Sequence, residues 1–228
     1  MRRAVALFLV ALSAGCGANP GKRVPREAAN AIAGSPETIT AIGSLTLLGT
    51  GTDFDGGAKF TVTSFRRVLN FRRRQMRQDQ TRVLDPPAGA VPQRQTGGAE
   101  GQMAFRDDAP VGEPEAGWLR AALYHHPLGF LLAAFSTDAP LSNTRLEGNR
   151  EAVDITIGGE TYTLFIDGES KLPVRIVSRH GGTTMETSFS QYVNLHGYKL
   201  PARIVTRLDG RVTEDLTIEQ QFAGASNP

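Results

Sequence analysis

Seven arginines lie close together in the first half of the chain: Arg66, Arg67, Arg72, Arg73, Arg74, Arg77 and Arg82. A guanidinium group forms paired hydrogen bonds with a phosphate or a carboxylate, so the cluster could bind lipid head groups or an acidic protein. On a hairpin, alternation would place several of these groups on the outer face. The alternative is a solvated strand edge whose charge prevents pairing with another chain. The contact residues predicted from this pattern are Arg66, Arg67, Arg72, Arg73, Arg74 and Arg77.

The mid-chain apolar residues form a second candidate site. They are more apolar than a surface helix requires, and they recur at helical spacing: Trp118, Leu119, Leu123, Phe130, Leu131, Leu132 and Phe135. Two readings stay open. The residues could pack as an ordinary core against a sheet, or Trp118, Leu119, Leu123, Phe130, Leu131 and Phe135 could enclose a cavity for an acyl chain.

Residue patterns that would support catalysis are missing from the sequence. It has no nucleophile elbow, no phosphate-binding glycine loop and no H-E-x-x-H motif. His125 and His126 are adjacent, so their side chains diverge and make a poor chelating pair. Both are predicted at a helix C-terminus, where a protonated imidazole is favoured. We therefore predict no enzyme activity, no metal site and no cofactor.

Several acidic pairs are predicted to be solvated residues of turns or of a strand edge. They are Asp53 with Asp55, Asp107 with Asp108, and Glu214 with Asp215. The stretch from Asp53 to Gly57 faintly resembles a calcium-binding loop, but it lacks the remaining ligands and the distal glutamate.

The N-terminus has the three parts of a secretory signal. Arg2 and Arg3 precede an apolar run that is too short to span a membrane, and small residues lead to Cys16, the only cysteine. The segment 12–16 resembles the lipobox of bacterial lipoproteins. The resemblance implies removal of residues 1–15, a lipid on Cys16, and a tether over residues 16–23. It also implies an anchor in the cell envelope, with Gly17 suggesting the outer membrane facing the periplasm.

Charge is nearly balanced overall but is unevenly distributed. The chain has 25 Lys and Arg against 23 Asp and Glu. The segment from Ala58 to Arg106 has a net charge of +7, whereas the remainder to Pro228 has a net charge of −6. The overall balance argues against a nucleic-acid partner.

Hydrophobic periodicity predicts a mainly β fold of the α+β class with nine to eleven strands and about three helices. Helices are predicted over 25–33, 113–126 and 127–135, and a surface loop, which we expect to be mobile, over 85–99. After Pro140 the alternation predicts an antiparallel meander. In its last strand, Val212, Leu216, Ile218 and Phe222 are predicted to share the covered face. Residues 24–228 are expected to form a single domain.

The last third of the chain carries a family resemblance. Its cadence is Leu164-Phe-Ile-Asp, then Lys171-Leu-Pro-Val-Arg-Ile, Phe189-Ser-Gln-Tyr and Gly197-Tyr-Lys-Leu-Pro. This is similar to the outer-membrane lipoprotein-sorting carriers. The resemblance implies an incomplete antiparallel β-barrel, a half-barrel, with two helices on its concave face and a bound lipid. Tyr124-His-His-Pro and Leu141-Ser-Asn-Thr also resemble the domain that precedes metallo-β-lactamase-type hydrolases, although the metal motif of the hydrolase is absent.

Together these features predict a cell-envelope lipoprotein that binds a hydrophobic or lipidic ligand without catalysis. The alternative is a scaffold or sensor domain that binds another envelope protein through its basic hairpin.

Overall fold

A computed structural model of the chain describes residues 20–85, 90–136 and 140–225. The described residues form thirteen strands: Ile42–Asp55 (β1), Ala58–Asn70 (β2), Gln75–Leu84 (β3), Gln93–Glu100 (β4), Met103–Arg106 (β5), Ala109–Pro110 (β6), Leu141–Glu147 (β7), Arg150–Ile157 (β8), Glu160–Asp167 (β9), Pro173–His180 (β10), Thr183–Leu195 (β11), Tyr198–Leu208 (β12) and Arg211–Ala225 (β13). A 3-10 turn, Pro20–Lys22, precedes four helices: Arg23–Ala33 (α1), Pro36–Thr40 (α2), Glu115–Ala121 (α3) and Pro127–Phe135 (α4).

The strands make one antiparallel sheet in the order β6-β5-β4-β3-β2-β1-β13-β12-β11-β10-β9-β8-β7. Nearly every neighbour in this order is also a neighbour in sequence, because short turns join most successive strands. The exception is the central pair, where β1 lies beside β13. The edge strands β6 and β7 have no pairing with each other in the described residues, so the sheet is open. The prediction of a mainly β, antiparallel and unclosed fold is confirmed.

One face of the sheet packs against the helices. The main core joins inward side chains from both halves of the sheet to residues of all four helices, among them Val24 of α1, Ile39 of α2, Ala121 of α3 and Phe130 of α4. Helix α4 is buried on nearly every side, as its apolar sequence requires. None of the described helices is long and apolar enough to cross a membrane.

The predicted helices differ from the structure at their ends. Residues 20–23, predicted as part of a tether, are helical, while the rest of the tether, residues 1–15 and Cys16 lie outside the described residues. Helix α2 follows Ser35, whose side-chain oxygen accepts a hydrogen bond from the Thr38 amide. The stretch from Glu37 to Thr50, rich in Thr, Ile and Leu, predicts a strand, but the strand begins only at Ile42. The predicted helix over 113–126 is shorter, because residues after Ala121 form a tight connection to α4.

The predicted loop over 85–99 is wrong in its second half. Residues 93–100 form β4, which pairs with β3 from Arg82 opposite Gln93 to Gln75 opposite Glu100. The polar and glycine-rich composition of this segment suggested a loop. In the structure, a small residue is required where β4 packs closely against its neighbours. A Cβ on Gly98 would lie 2.5 Å from both the Met76 carbonyl oxygen and the Phe105 ring.

A β-bulge changes which side chains of β13 point toward the core. The β1–β13 register shifts between Leu48 opposite Gln220 and Gly49 opposite Ile218. Because side chains alternate with a period of two, one extra residue exchanges the two faces beyond it. Phe222 is therefore 54% exposed, and Gln221 is buried in its place. The prediction that Phe222 shares the covered face with Leu216 and Ile218 is wrong.

Candidate functional site

An open space lies between α3 and the concave face of the sheet, and we call it the α3 cleft. Its volume is about 290 Å³. Its lining residues come from α3, from strands β1 to β5 and from β11 to β13: Asp53, Phe54, Asp55, Gly56, Arg67, Met76, Gln78, Gln80, Arg82, Gln95, Thr96, Gly97, Arg106, Glu115, Trp118, Leu119, Ala122, Met185, Thr206, Leu208, Thr213 and Glu214.

The floor of the cleft is a polar ladder on β3. Gln78, Gln80 and Arg82 alternate along the strand, so all three side chains point to the concave face. Gln78 Nε2 lies 2.9 Å from Gln80 Oε1, and Gln80 Nε2 lies 3.2 Å from the Asp53 carboxylate and 2.8 Å from Gln95 Oε1. Gln80 is only 4% exposed. The inner face of a sheet is normally apolar, so this ladder is a departure that requires an explanation.

Two ion pairs frame the ladder. Arg67 Nη2 lies 2.8 Å from the Glu214 carboxylate, and Arg82 binds Asp53 and, at 2.9 Å, Asp55. Burial raises the pKa of Asp53, and the Arg82 hydrogen bond only partly offsets this effect. Burial also acts to raise the pKa of Glu214, but the Arg67 charge and hydrogen bond outweigh it and hold that pKa below its usual value. Asp53 and Glu214 are therefore cleft residues, and the prediction that they are solvated is wrong for both.

The roof of the cleft is apolar. Trp118, Leu119 and Ala122 line it from α3 and its connection, and Met76 and Met185 line it from the sheet. The cleft thus has one apolar side and one side with hydrogen-bonding groups, a combination that is typical of small-molecule sites.

The structure separates the predicted ligand-binding residues. Trp118 and Leu119 line the α3 cleft. Phe130 and Leu131 are fully buried in the core, and Leu123 and Phe135 border two other depressions. The six residues do not line one cavity. Of the two readings that the sequence leaves open, the packed core holds for Phe130 and Leu131 in α4.

The predicted arginine cluster is also divided, between the two faces of the sheet. Arg67 and Arg82 are at most 9% exposed and point into the α3 cleft. Arg66 and Arg77 are exposed on the opposite face, as the hairpin model predicts. The turn between β2 and β3 carries three more exposed arginines, which are Arg72, Arg73 and Arg74.

The exposed turn borders a second depression, the turn groove. It is lined by Phe71, Arg74, Leu123, Tyr124, Gly129, Leu132, Ala133, Ser136, Thr156, Ile157 and Gly158. The groove therefore joins the β2–β3 turn, the α3–α4 connection and the β8–β9 turn. Arginine and apolar side chains meet at this surface.

A buried hydrogen-bond chain holds the α3–α4 connection to the sheet. His125 Nδ1 lies 2.9 Å from Thr187 Oγ1, and His125 Nε2 lies 2.7 Å from Ser178 Oγ. Ser178 Oγ lies 2.9 Å from His180 Nε2, whose other ring nitrogen lies 3.7 Å from the Glu160 carboxylate. Each neutral imidazole can donate at one nitrogen and accept at the other, so both ring nitrogens of His125 and the Ser178 hydroxyl have partners. Ser178 is 3% exposed and lines neither the α3 cleft nor the turn groove, so it is not placed as a nucleophile.

The two adjacent histidines do not end a helix as predicted. His126 is the N-cap of α4, where its Nδ1 accepts a hydrogen bond from the Leu128 amide at 3.2 Å. Burial lowers the pKa of both His125 and His126 to about 3, with smaller contributions from His180 and Arg67 respectively. Both rings are therefore neutral at ordinary pH. Within residues 20–85, 90–136 and 140–225, no cluster of His, Cys, Asp or Glu could hold a metal ion.

Sequence reasoning missed the glutamines of the ladder. A signal was present, since Met76, Gln78, Gln80 and Arg82 share the parity of an inward-facing strand that begins with a buried methionine. Asp53 and Glu214 lie opposite each other in the β1–β13 register, which the sequence does not specify.

No protein-family model and no curated protein sequence matches the chain. Among solved structures, the chain is similar to the LolA superfamily protein NE2245 from Nitrosomonas europaea, with a TM-score of 0.49 and 11% identity over 91% of this chain and 94% of that one. It is also similar to MucB in complex with MucA, with a TM-score of 0.23 and 13% identity over 91% of this chain and 57% of that one. Neither likeness is close enough to assign a family or a function, and neither is to a domain that precedes a metallo-β-lactamase-type hydrolase.

Proposed function

We propose that this protein is a non-catalytic lipoprotein of the cell envelope that binds a single-chain lipidic ligand in the α3 cleft. The observation that carries the proposal is the contrast between the two sides of that cleft. The apolar side offers Trp118, Leu119 and Met185 to an acyl chain, and the ladder offers hydrogen-bonding groups to a polar head. A fully packed half-barrel would need neither a polar ladder nor a space beside it.

The size of the cleft limits the ligand. Pockets for small molecules usually measure about 300 to 1,000 Å³. At about 290 Å³, the α3 cleft lies just below this range and suits one acyl chain rather than two. The remainder of the concave face is filled by α1, α2 and α4, which supply much of the main core.

Anchoring and location complete the proposal. Cys16 would carry the lipid after removal of residues 1–15, and the anchor would lie in the outer membrane facing the periplasm. Labelling cells with a radioactive or alkyne-bearing fatty acid tests this point, with Cys16→Ser as the control that should lose the label. A labelled Cys16→Ser chain would exclude anchoring at this residue.

The lone tryptophan provides a direct test of the cleft. Trp118 is the only tryptophan of the chain and lines the cleft, so an entering acyl chain should shift its emission to shorter wavelength. We expect Gly97→Leu to weaken binding of a lauroyl amphiphile at least about tenfold, because the new side chain would occupy the space next to Leu119. Titration of Trp118 fluorescence, with native mass spectrometry as a second readout, measures the effect.

The matched control for this variant is Gly97→Ala. A Cβ at this position would lie 3.6 Å from Leu119 Cδ2, an ordinary contact, so alanine should fold normally and leave most of the cleft open. Equal binding by the leucine and glycine proteins would show that the acyl chain lies elsewhere.

A second candidate function is docking through the β2–β3 turn to an acidic surface, either a membrane or another envelope protein. The exposure of Arg72, Arg73 and Arg74 beside the apolar turn groove favours it. Each basic residue near an anionic membrane contributes about 1 kcal/mol before screening. We expect the triple replacement of these arginines by glutamate to weaken sedimentation of the Cys16→Ser protein with phosphatidylglycerol vesicles at least about tenfold.

The control has the same net charge change at other exposed positions, Arg150, Arg179 and Arg211. Equal losses in the two triple variants would mean that overall charge, not the turn, governs vesicle binding. Unchanged binding by the turn variant would remove the membrane and leave only an acidic protein as the partner of this surface.

A further inference from the structure

The positive charges that line the α3 cleft are already compensated. Each guanidinium group has a carboxylate partner: Arg67 pairs with Glu214, Arg106 with Glu115, and Arg82 with both Asp53 and Asp55. The lining therefore contains four carboxylates against three guanidinium groups. A phosphate or carboxylate head entering this cleft would find no unpaired cation and would meet an excess of negative charge.

The polar atoms of the lining residues that have no partner are mainly hydrogen-bond donors. Three lining residues have a buried polar atom with no partner in the described part of the chain: Arg82 Nε, Trp118 Nε1 and Thr96 Oγ1. The first two can only donate a hydrogen bond, and the hydroxyl can donate or accept. A buried donor without an acceptor is costly, so a ligand oxygen that reaches one of them gains that energy.

From these two observations we propose that the cleft selects an amphiphile whose head is uncharged and rich in hydrogen-bond acceptors, such as an acyl ester or amide, over anionic heads. This inference rests on the proposed function, because it names the head group of the ligand that the cleft would bind. A cationic head is disfavoured as well. It is attracted only by the one excess negative charge, on carboxylates that arginines already bind, and it offers no acceptor to the unpartnered donors Arg82 Nε and Trp118 Nε1.

The test compares four probes with the same twelve-carbon chain. They are monolaurin, laurate, lauroyl lysophosphatidic acid and dodecyltrimethylammonium, each titrated below its micelle concentration while Trp118 emission is recorded. We expect monolaurin to bind about tenfold more tightly than either anionic probe, which corresponds to one charge left uncompensated in a partly solvated site.

The outcomes separate the two levels of the proposal. Tighter or equal binding of laurate, of lysophosphatidic acid or of the cation would overturn the head-group inference and leave lipid binding intact. Failure of all four probes to bind, by fluorescence and by native mass spectrometry, would overturn the proposed function together with the inference.

Two isosteric variants test the charge balance itself. Glu214→Gln keeps a hydrogen-bond acceptor for Arg67 but leaves its charge unpaired, so the affinity for laurate relative to monolaurin should rise about tenfold. Glu115→Gln should change this ratio in the same direction, because it leaves the charge of Arg106 unpaired. Glu115 and Arg106 are partly exposed, so this substitution should destabilise the fold less. Glu219→Gln, which loses a carboxylate hydrogen-bonded to Thr50 outside the cleft lining, is the matched control. An unchanged ratio in both cleft variants would contradict the inference.

Discussion

Replacing Gly129 with alanine is expected to lower the free energy of unfolding by about 3 kcal/mol or more. Gly129 lies in the first half of α4, where its missing side chain lets the helix pass against the connection from α3. A Cβ at this position would lie 1.9 Å from the Leu123 carbonyl oxygen and 3.4 Å from the Phe71 ring. Since the first of these atoms belongs to the backbone, the connection or the helix itself would have to move.

The sign of this effect is unusual. Alanine normally stabilises a helix interior by about 0.5 to 1 kcal/mol relative to glycine. Gly117 of α3 supplies the comparison, because its Cβ would meet the flexible end of Glu113 at 2.9 Å and His180 Cβ at 3.6 Å. Gly117→Ala should therefore change stability by less than about 1 kcal/mol. Urea unfolding of both variants measures the difference, and equal midpoints would show that α4 does not approach the connection so closely.

The sheet was predictable wherever local signals agreed. Val153 and Ile155 alternate with polar residues, Gly158 and Gly159 mark a tight turn, and Tyr162 and Leu164 resume the alternation. The structure pairs Ile155 with Tyr162 in that hairpin. Strand period and turn chemistry are properties of neighbouring residues, so they can be read without knowledge of the fold.

The site was only partly predictable, because it depends on which side of a strand faces the helices. Arg67 shares its parity with Phe65 and Leu69, both buried, and that pattern alone places it inside. The density of arginines suggested an outer charged face for all of them. The sequence therefore identified the residue types of the site but not the division of the cluster between a concave and a convex surface.

How far the helices fill the space against the sheet could not be predicted, because this depends on contacts between segments that are distant in sequence. The apolar composition of α4 is compatible with a packed core and with the wall of a cavity. In the structure α4 is part of the packed core, with Phe130 fully buried. Helix α3 instead borders the cleft, which Trp118 and Leu119 line. The same mid-chain segment thus supplies both the core and the roof of the site.

Acid is expected to destabilise the protein steeply through the two histidines of the α3–α4 connection. Their pKa is about 3 in the folded protein, against an ordinary value of 6.5. Between these values the histidines are protonated in the unfolded chain and neutral in the folded protein. Their contribution to stability is complete above pH 6.5 and falls as the pH drops from 6.5 toward 3. The slope is at most about 1.4 kcal/mol per pH unit and per histidine, and each group is half protonated in the unfolded chain at pH 6.5. The loss between pH 6.5 and pH 5 is therefore roughly 3 kcal/mol.

Two variants distinguish this titration from a general effect of acid. His126→Asn keeps an N-cap acceptor for the Leu128 amide but cannot be protonated, so the loss of stability toward pH 5 should fall by about half. Ser178→Ala removes the hydroxyl that links His125 to His180, so it should lower stability at every pH. The slope of stability against pH should not change, because the rings of His125 and His126 stay buried. Urea midpoints at pH 7.5, 6 and 5 provide the measurement. A slope in His126→Asn equal to that of the unchanged protein would show that His126 does not contribute to the acid response.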